Sequence, residues 1–508
     1  MITSIDKTLK KIISGLGVIV MAIIIFNSLV SPTLSHIASY WRNSTDISEV
    51  QSQNILSLVL AVFIILFLYF LSKKFLINDK ISHLIATALS ILFFIFLLWQ
   101  FEYLQIEGFI DDSYLVFNAA QEFLDTGKVS GWYMAANPQN LFIMFFYMLV
   151  IKLTGSAEIW NVYVIFSLIH VATAALIYVS SRKLFNKNVP SLIALVVFIC
   201  TFQINMHVAI MYTDVLSMFF LMLGICFYIY FTKASKNNIK LLYLFVSSFF
   251  FSIAFLAKGF YLILFIATVL GMLISLKRKE KLLAIIPIVT FFLINTGWDI
   301  FISSQNMYEK EEIGMPNTHY MFMGMNTDYY FQDKENKEYR LAGAYNDGDV
   351  SFSKGLFWDQ NLDKNEISKI HFEKIHERIQ SLSTFEFFEF LWGKISSSWS
   401  SGDLKSTVSI GMASGSEDGL KEIRESKGLY TYLQTIQYIY YLIFLLVFTK
   451  LFLSPSINSF MYVSVFFVIG IFFFVLMWEA SPRYAMTVMP FAPVIFPYFL
   501  KSYPKKEK

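Results

Sequence analysis

Cysteine is almost missing from this chain of 508 residues: Cys200 and Cys226 are the only two, and both lie inside apolar runs. A disulfide framework is therefore excluded as the basis of the fold, and the redox compartment stays open. Charge is scarce as well, 15% Asp, Glu, Lys and Arg with a net of +3. With no block of like charge, nothing suggests a nucleic-acid-binding face or an interaction tail. Internal repeats, a collagen period, low-complexity tracts and a nucleotide-binding glycine pattern between strand and helix are all absent. No His/Cys cluster has ligand spacing, so no cofactor is inferred; two neighbouring carboxylates leave a divalent metal undecided.

What fills the chain is apolar. It is 56% hydrophobic and 18% aromatic with 54 Phe, far outside the soluble globular range. The sequence predicts an all-α polytopic membrane protein. Lys7, Lys10 and Lys11 precede the first run, which we read as a retained span because it is long and lacks an obvious small-residue cleavage site.

A helix needs about twenty apolar residues to cross, and Lys and Arg mark the inner side. Spans are expected at 12–30, 55–71 and 84–99, which puts the stretch after Trp99 outside. Residues 141–151 are apolar for too short a distance and suit a re-entrant or interfacial segment. If that segment does not cross, Arg182/Lys183/Lys187, Lys233/Lys236/Lys240, Lys277/Arg278/Lys279/Lys281 and the tail Lys501/Lys505/Lys506/Lys508 all fall inside; if it does, all fall outside. Further spans follow at 160–178, 192–205, 215–231, 241–256, 259–276, 282–298, 432–448, 457–477 and 485–500. The total is about twelve, with both termini cytoplasmic.

The chain divides into two N-terminal spans (1–82), a membrane module (83–298) with a first outer loop at 100–157, an extracytoplasmic region (299–430) and three C-terminal spans (431–508). The outer region is too long for a bare connection. Asp363/Glu366 and Ser383/Glu386 have capping-box spacing, and Ile367, Ile370, Ile375, Ile379 and Leu382 recur at helical intervals. The second helix, about 385–395, carries Phe385, Phe388, Leu391 and Trp392, which fit either the membrane surface or an internal packing face.

His170 is the only ionisable residue near a span centre, and a lone His there reads as a hydrogen-bonded helix contact. The lack of midplane charges argues against an ion-coupled transporter. Charges collect instead at the outer ends: Asp111 and Asp112 after the third span, Asp214 in Tyr212-Thr213-Asp214, Lys258 in a short hairpin, then Glu479 and Arg483. A lysine on the outer side runs against the orientation rule; it either snorkels to headgroups or serves a site. The acidic pair reads as helix caps for the segment from Ser113 or as part of that same site, and Asp111 could cap while Asp112 serves chemistry. Trp132, Tyr133, Tyr212 and Tyr484 read as interfacial belt residues, with sugar stacking as the alternative. Cations at a membrane surface hold a phosphate leaving group, and a carboxylate removes the proton of an attacking hydroxyl. Together they would suffice for glycosyl transfer from a lipid carrier.

Several pieces carry a family resemblance. They are Asp111-Asp112-Ser113-Tyr114 followed by Ala119-Ala120-Gln121-Glu122-Phe123-Leu124-Asp125-Thr126-Gly127, then Ala136-Asn137-Pro138, Tyr212-Thr213-Asp214, Phe255-Leu256-Ala257-Lys258-Gly259 and Pro482-Arg483-Tyr484 with Pro490. In this order and on one face they resemble the GT-C class of integral-membrane glycosyltransferases, in the protein O-mannosyltransferase and aminoarabinose-transferase-like branch (glycosyltransferase family 39-like). The resemblance implies a GT-C-like bundle whose outer face transfers a sugar, with inversion, from a polyprenyl-phosphate donor to an extracytoplasmic acceptor: a cell-envelope glycan, lipid or protein. It implies Asp112 as base, in preference to Asp111, with Asp214 as second site carboxylate and Lys258, Arg483 and Tyr484 at the donor phosphate. The two extra N-terminal spans and the large outer region before the last three spans depart from the family pattern. A transporter or flippase of lipid-linked glycans and a structural envelope-assembly protein are the alternatives. The composition points to a bacterial cell membrane.

Overall fold

The computed structural model describes residues 4–31, 47–308, 314–328, 330–331, 341–415 and 426–500. The lysine tail and most of the outer loop between the first two spans lie outside the described residues. The N-terminal helices are α1 (Ser4–Val30), α2 (Ile47–Lys74), α3 (Asp79–Leu104), α4 (Asp111–Thr126), α5 (Trp132–Ala136) and α6 (Leu141–Thr154). Then come α7 (Ile159–Phe185), α8 (Asn188–Ile199), α9 (Phe202–Met206), α10 (Thr213–Lys233), α11 (Asn237–Ala257), α12 (Leu262–Ser275) and α13 (Ile285–Ser304). The region expected to lie outside, termed the outer region, holds α14 (Thr318–Gly324), α15 (Asp347–Lys354), α16 (Lys364–Gln380), α17 (Thr384–Trp399) and α18 (Ser406–Ala413). The chain closes with α19 (Lys427–Leu453), α20 (Ser459–Met477), α21 (Pro482–Ala485) and α22 (Phe491–Leu500).

The protein is an all-α polytopic membrane protein, and each predicted span overlaps a helix, although 192–205, 259–276 and 485–500 are interrupted. Among the described residues nine helices are long and apolar enough to cross a bilayer. The predicted spans at 192–205, 259–276 and 485–500 correspond to short helices of 12, 14 and 10 residues. At about 1.5 Å per residue these reach less than the roughly 30 Å hydrocarbon thickness. Helix α6, excluded from crossing in the sequence, is 14 residues long, so length alone does not separate it from α12. The last predicted span is delayed to Phe491 because Pro490 lacks an amide donor and clashes with the preceding turn. The residues before it form α21 and a 3-10 turn.

The core is a bundle in which α10 packs on both α7 and α11, α12 on α20, and α19 on α1 and α2. At α10 against α11 the backbones approach closely enough that a Cβ on Gly224 would sit 2.3 Å from the Phe251 ring. Ser247 Oγ donates to the Gly224 carbonyl at 2.8 Å there, tying the helices across the gap. His170 is fully buried, with Nε2 3.0 Å from Asn205 Oδ1 and its ring against Phe93 and Phe198, as a helix-contact residue should be.

One end of the bundle gathers basic side chains. Lys10 Nζ donates to the Ser456 carbonyl at 3.4 Å and Lys73 Nζ to the Leu500 carbonyl at 2.8 Å. Lys183, Lys233 and Lys236 line one cleft at that end. The opposite end carries the outer region, whose two capping boxes form as the sequence predicts: Asp363 with Glu366 starts α16, and Ser383 with Glu386 starts α17. Helix α16 buries Ile367 and Ile375, and Arg378 at its end pairs with Asp349 at 2.7 Å over the Phe322 ring. Helix α17 divides its apolar residues between the interior and the surface. Phe390, Ile395 and Trp399 are buried and Trp392 Nε1 donates to Ser31 Oγ at 2.8 Å, while Phe385 and Phe388 are exposed. Behind α18 the chain is clipped to the end of α3, with Glu107 N donating to the Ala413 carbonyl at 3.1 Å and Gly415 N to the Gln105 carbonyl at 3.0 Å.

Candidate active site

Three helix ends bring the site together. Asp214 stands in the first turn of α10, where the helix dipole favours an anion, Lys258 follows the last residue of α11, and Arg483 lies in α21. Lys258 Nζ makes a short ion pair with Asp214 Oδ1, with side-chain exposures of only 10% and 3%. Arg483 Nη1 stands 3.9 Å from the other carboxylate oxygen of Asp214. A snorkelling lysine would extend to water. Lys258 instead folds back onto the carboxylate, its ammonium 4.8 Å from the Phe260 ring centre and 6.0 Å from that of Tyr484. The Tyr484 hydroxyl donates to Glu479 Oε2 at 3.1 Å, and its ring sits edge-on to Phe260.

The first outer loop supplies the other wall. Helix α4 begins at Asp111, two residues earlier than the sequence suggests, and neither aspartate caps it. The Ser113 hydroxyl takes that role, accepting from the Ile110 amide at 3.1 Å and donating to the Ile110 carbonyl at 2.7 Å. Asp111 is exposed, in a left-handed backbone conformation (φ 43°), whereas Asp112 is half-buried. Asp112 faces Tyr133, Tyr212, Glu479 and Arg483 within electrostatic reach. Between Asp112 and the cations runs a hydrogen-bonded bridge: Tyr212 Oη donates to Asn140 Oδ1 at 2.8 Å, and Asn140 Nδ2 donates to Tyr133 Oη at 3.1 Å. Burial pushes both phenols well above their ordinary pKa, with Asp112 adding to the rise, so they remain protonated donors. The tyrosines read as belt residues are thus part of the inner wall.

Arg483 is the hinge of the arrangement. It touches Asp214 on one side and faces Asp112, Tyr212 and Glu479 on the other. Its Nε is buried without a hydrogen-bond partner, as is Asp214 Oδ2. Burial raises the Glu479 carboxyl above the usual range, against the pull of Arg483 and Lys405. Sequence reasoning placed Glu479 at the outer end without assigning it a role; its nearness to Pro482-Arg483 was the available signal. It missed Lys405 and Lys394 altogether, since they come from a polar stretch with no pattern pointing at the membrane module. Lys394 is fully buried and donates to the carbonyls of Gly324 at 2.5 Å and Trp478 at 2.8 Å, next to Glu479. The same approach fixes Gly324, where a Cβ would lie 2.3 Å from the Trp478 carbonyl carbon. Among the described residues no group of three or more His, Cys, Asp or Glu side chains is placed to hold a metal.

Residues 138–298 match the family model described as dolichyl-phosphate-mannose-protein mannosyltransferase. The matched stretch contains Asn140, Tyr212, Asp214 and Lys258; Asp111 and Asp112 precede it, and Glu479, Arg483 and Tyr484 follow it. No curated protein and no solved structure matches the chain.

Proposed function

We propose that the protein is a GT-C-class membrane glycosyltransferase that uses a lipid-linked sugar donor, holds the donor phosphate on Lys258 and Arg483 and activates the acceptor hydroxyl with Asp112. The observation that carries the reading is the juxtaposition at Arg483. Its guanidinium touches the buried Asp214–Lys258 pair on one side and faces Asp112 on the other. Cations and a half-exposed carboxylate therefore meet at one end of the bundle, opposite the lysine-rich end, which supports an extracytoplasmic site with both termini inside.

The chemistry follows from this placement. An acceptor hydroxyl next to Asp112 loses its proton to the carboxylate as its oxygen forms a bond to the anomeric carbon. The bond from that carbon to the phosphate oxygen breaks on the opposite face, inverting the configuration and leaving its electron pair on the phosphate. Lys258 and Arg483 stabilise the negative charge that grows there, most effectively because the site is shielded from water. Asp214 orients both cations and favours the charged form of Lys258, which makes it a positioning residue. Tyr484 acts beside them, its hydroxyl held by Glu479 and its ring under Lys258. Asp111, exposed at the start of α4, supplies negative potential at the acceptor entrance. The acceptor is an extracytoplasmic hydroxyl of a bacterial cell-envelope glycan, lipid or protein.

Purified protein in detergent, given a polyprenyl-phosphate donor carrying a labelled sugar, is expected to transfer the label. Asp112→Asn should lower turnover by roughly 10²- to 10⁴-fold while donor binding is kept. Normal turnover in a folded Asp112→Asn protein refutes the assigned base, and movement of the intact donor across a vesicle membrane without transfer would favour a flippase.

A further inference from the structure

We infer that Lys405, carried by the outer region, is a third cation of the donor-phosphate site and reaches the phosphate from the side facing away from the bundle. The inference rests on the glycosyltransfer reading above. Leu404 and Lys405 are consecutive non-glycine residues in the left-handed region, with φ of 53° and 66°. A backbone of that kind persists only where its surroundings impose it. Here they do. The Asp403 carboxylate accepts from Ser401 Oγ and from Thr407 Oγ1 at 2.5 Å, and its carbonyl accepts from the Ser406 amide at 2.9 Å. From the membrane module, His207 Nε2 stands 3.1 Å from the Leu404 carbonyl, and Leu404 itself is fully buried. Burial lowers the His207 pKa to about 3, so the ring is neutral and donates its Nε2 proton to that carbonyl.

The strained turn aims Lys405 inward. Its side chain is half-buried and lies within electrostatic reach of Arg483, Glu479, Asp111 and Asp112. Among the described residues its ammonium forms no ion pair, while Asp214 is already engaged by Lys258 and Arg483. Arg483 repels both Lys258 and Lys405, and an anionic ligand held at Arg483 relieves that repulsion on both sides. The buried, unpartnered Nε of Arg483 marks where such a ligand would be held. The competing role for Lys405 is to balance Asp111, Asp112 and Glu479 without touching substrate, and the two roles predict different measurements.

The test is binding of a short-chain polyprenyl phosphate, without sugar, to the full-length protein. Lys405→Met and Lys405→Gly are expected to weaken it by roughly 10- to 100-fold, with the acceptor KM unchanged and Lys405→Arg restoring part of the affinity. Lys405→Gly relaxes the left-handed turn, so its fold is retained even if Lys405→Met unfolds. Unchanged affinity in Lys405→Gly, with only the acidic limb of the pH–rate profile moved, overturns the inference in favour of the balancing role. Failure of the wild-type protein to bind polyprenyl phosphate overturns the glycosyltransfer reading as well, which separates the two failures.

Discussion

Asp214→Asn removes one charge and almost no volume from the buried cluster, so its effects can be worked through closely. In the wild-type protein, burial and the Arg483 charge hold the Lys258 ammonium well below its ordinary pKa, against the pull of Glu479, and the ion pair with Asp214 favours its charged form. With asparagine in place Glu479 alone opposes the downward influences, so the Lys258 pKa falls further and the ammonium gives up its proton more readily. Breaking a buried pair by deleting one partner costs about 3–5 kcal/mol of stability, and side-chain exposures of 3% and 10% leave little solvent screening to reduce it. The exposed pair Lys374–Glu377, at 48% and 63%, is the internal control: its removal should cost under about 1 kcal/mol. Loss of the Lys258 charge also removes a charge-assisted contact to phosphate, about 1.5–3 kcal/mol, or on the order of 10- to 100-fold in donor affinity. The sign with pH is fixed: Asp214 favours the charged form of Lys258, so the gain in donor affinity as pH falls from about 8 to about 6 should be larger in the variant than in the wild-type protein. An unfolding titration in sodium dodecyl sulfate and donor binding at both pH values check this. Wild-type stability together with full donor affinity at the higher pH would refute the account of Asp214 as the group that favours the charged form of Lys258.

Three further outcomes are expected. Burial lowers the Lys394 pKa to about 7; the unfolded chain, with an ordinary lysine near 10.4, then binds more protons between about pH 7 and 10. Stability should therefore rise with pH across that window, and Lys394→Met should flatten the rise while lowering activity through the Trp478–Glu479 turn; both are read from unfolding titrations and turnover. Gly324→Ala places a Cβ against the Trp478 backbone and should reduce folding yield and activity, whereas Gly259→Ala, with nothing within 4 Å, should leave folding unchanged. A cysteine at Ser130 should react with a membrane-impermeant reagent added outside and one at Asn186 should not; the reverse pattern would invert the topology.

How much of this could be read in advance depended on whether the signal was local. Capping boxes at Asp363 and Ser383 join residues three apart and formed as expected. Long apolar runs located the helices because bilayer thickness sets their length, although that same criterion stops short at α8, α12 and α22. Parity of lysines placed Asp112, Asp214, Lys258 and Arg483 on one face, and the structure brings the last three into contact. What the sequence could not show were the couplings set only by tertiary approach: Ser113 capping in place of Asp111, Glu479 held by Tyr484, the bridge through Asn140, and Lys394 and Lys405 arriving from the outer region. None of these pairs leaves a spacing to count.

The cluster around Asp214 also has an order in time. Lys258 and Arg483 are 225 positions apart in the chain (483 − 258), a gap that translation at about 5–20 residues per second spans in roughly ten to forty-five seconds. During that interval the emerging helices contain the Asp214–Lys258 pair, which is neutral as a unit and can settle against the bilayer without a bare charge. Only when α21 is made does Arg483 reach the free oxygen of Asp214 and complete the cluster. A chain interrupted before α21 therefore holds a half-site, and its attraction for an anionic lipid rises once Arg483 has joined it.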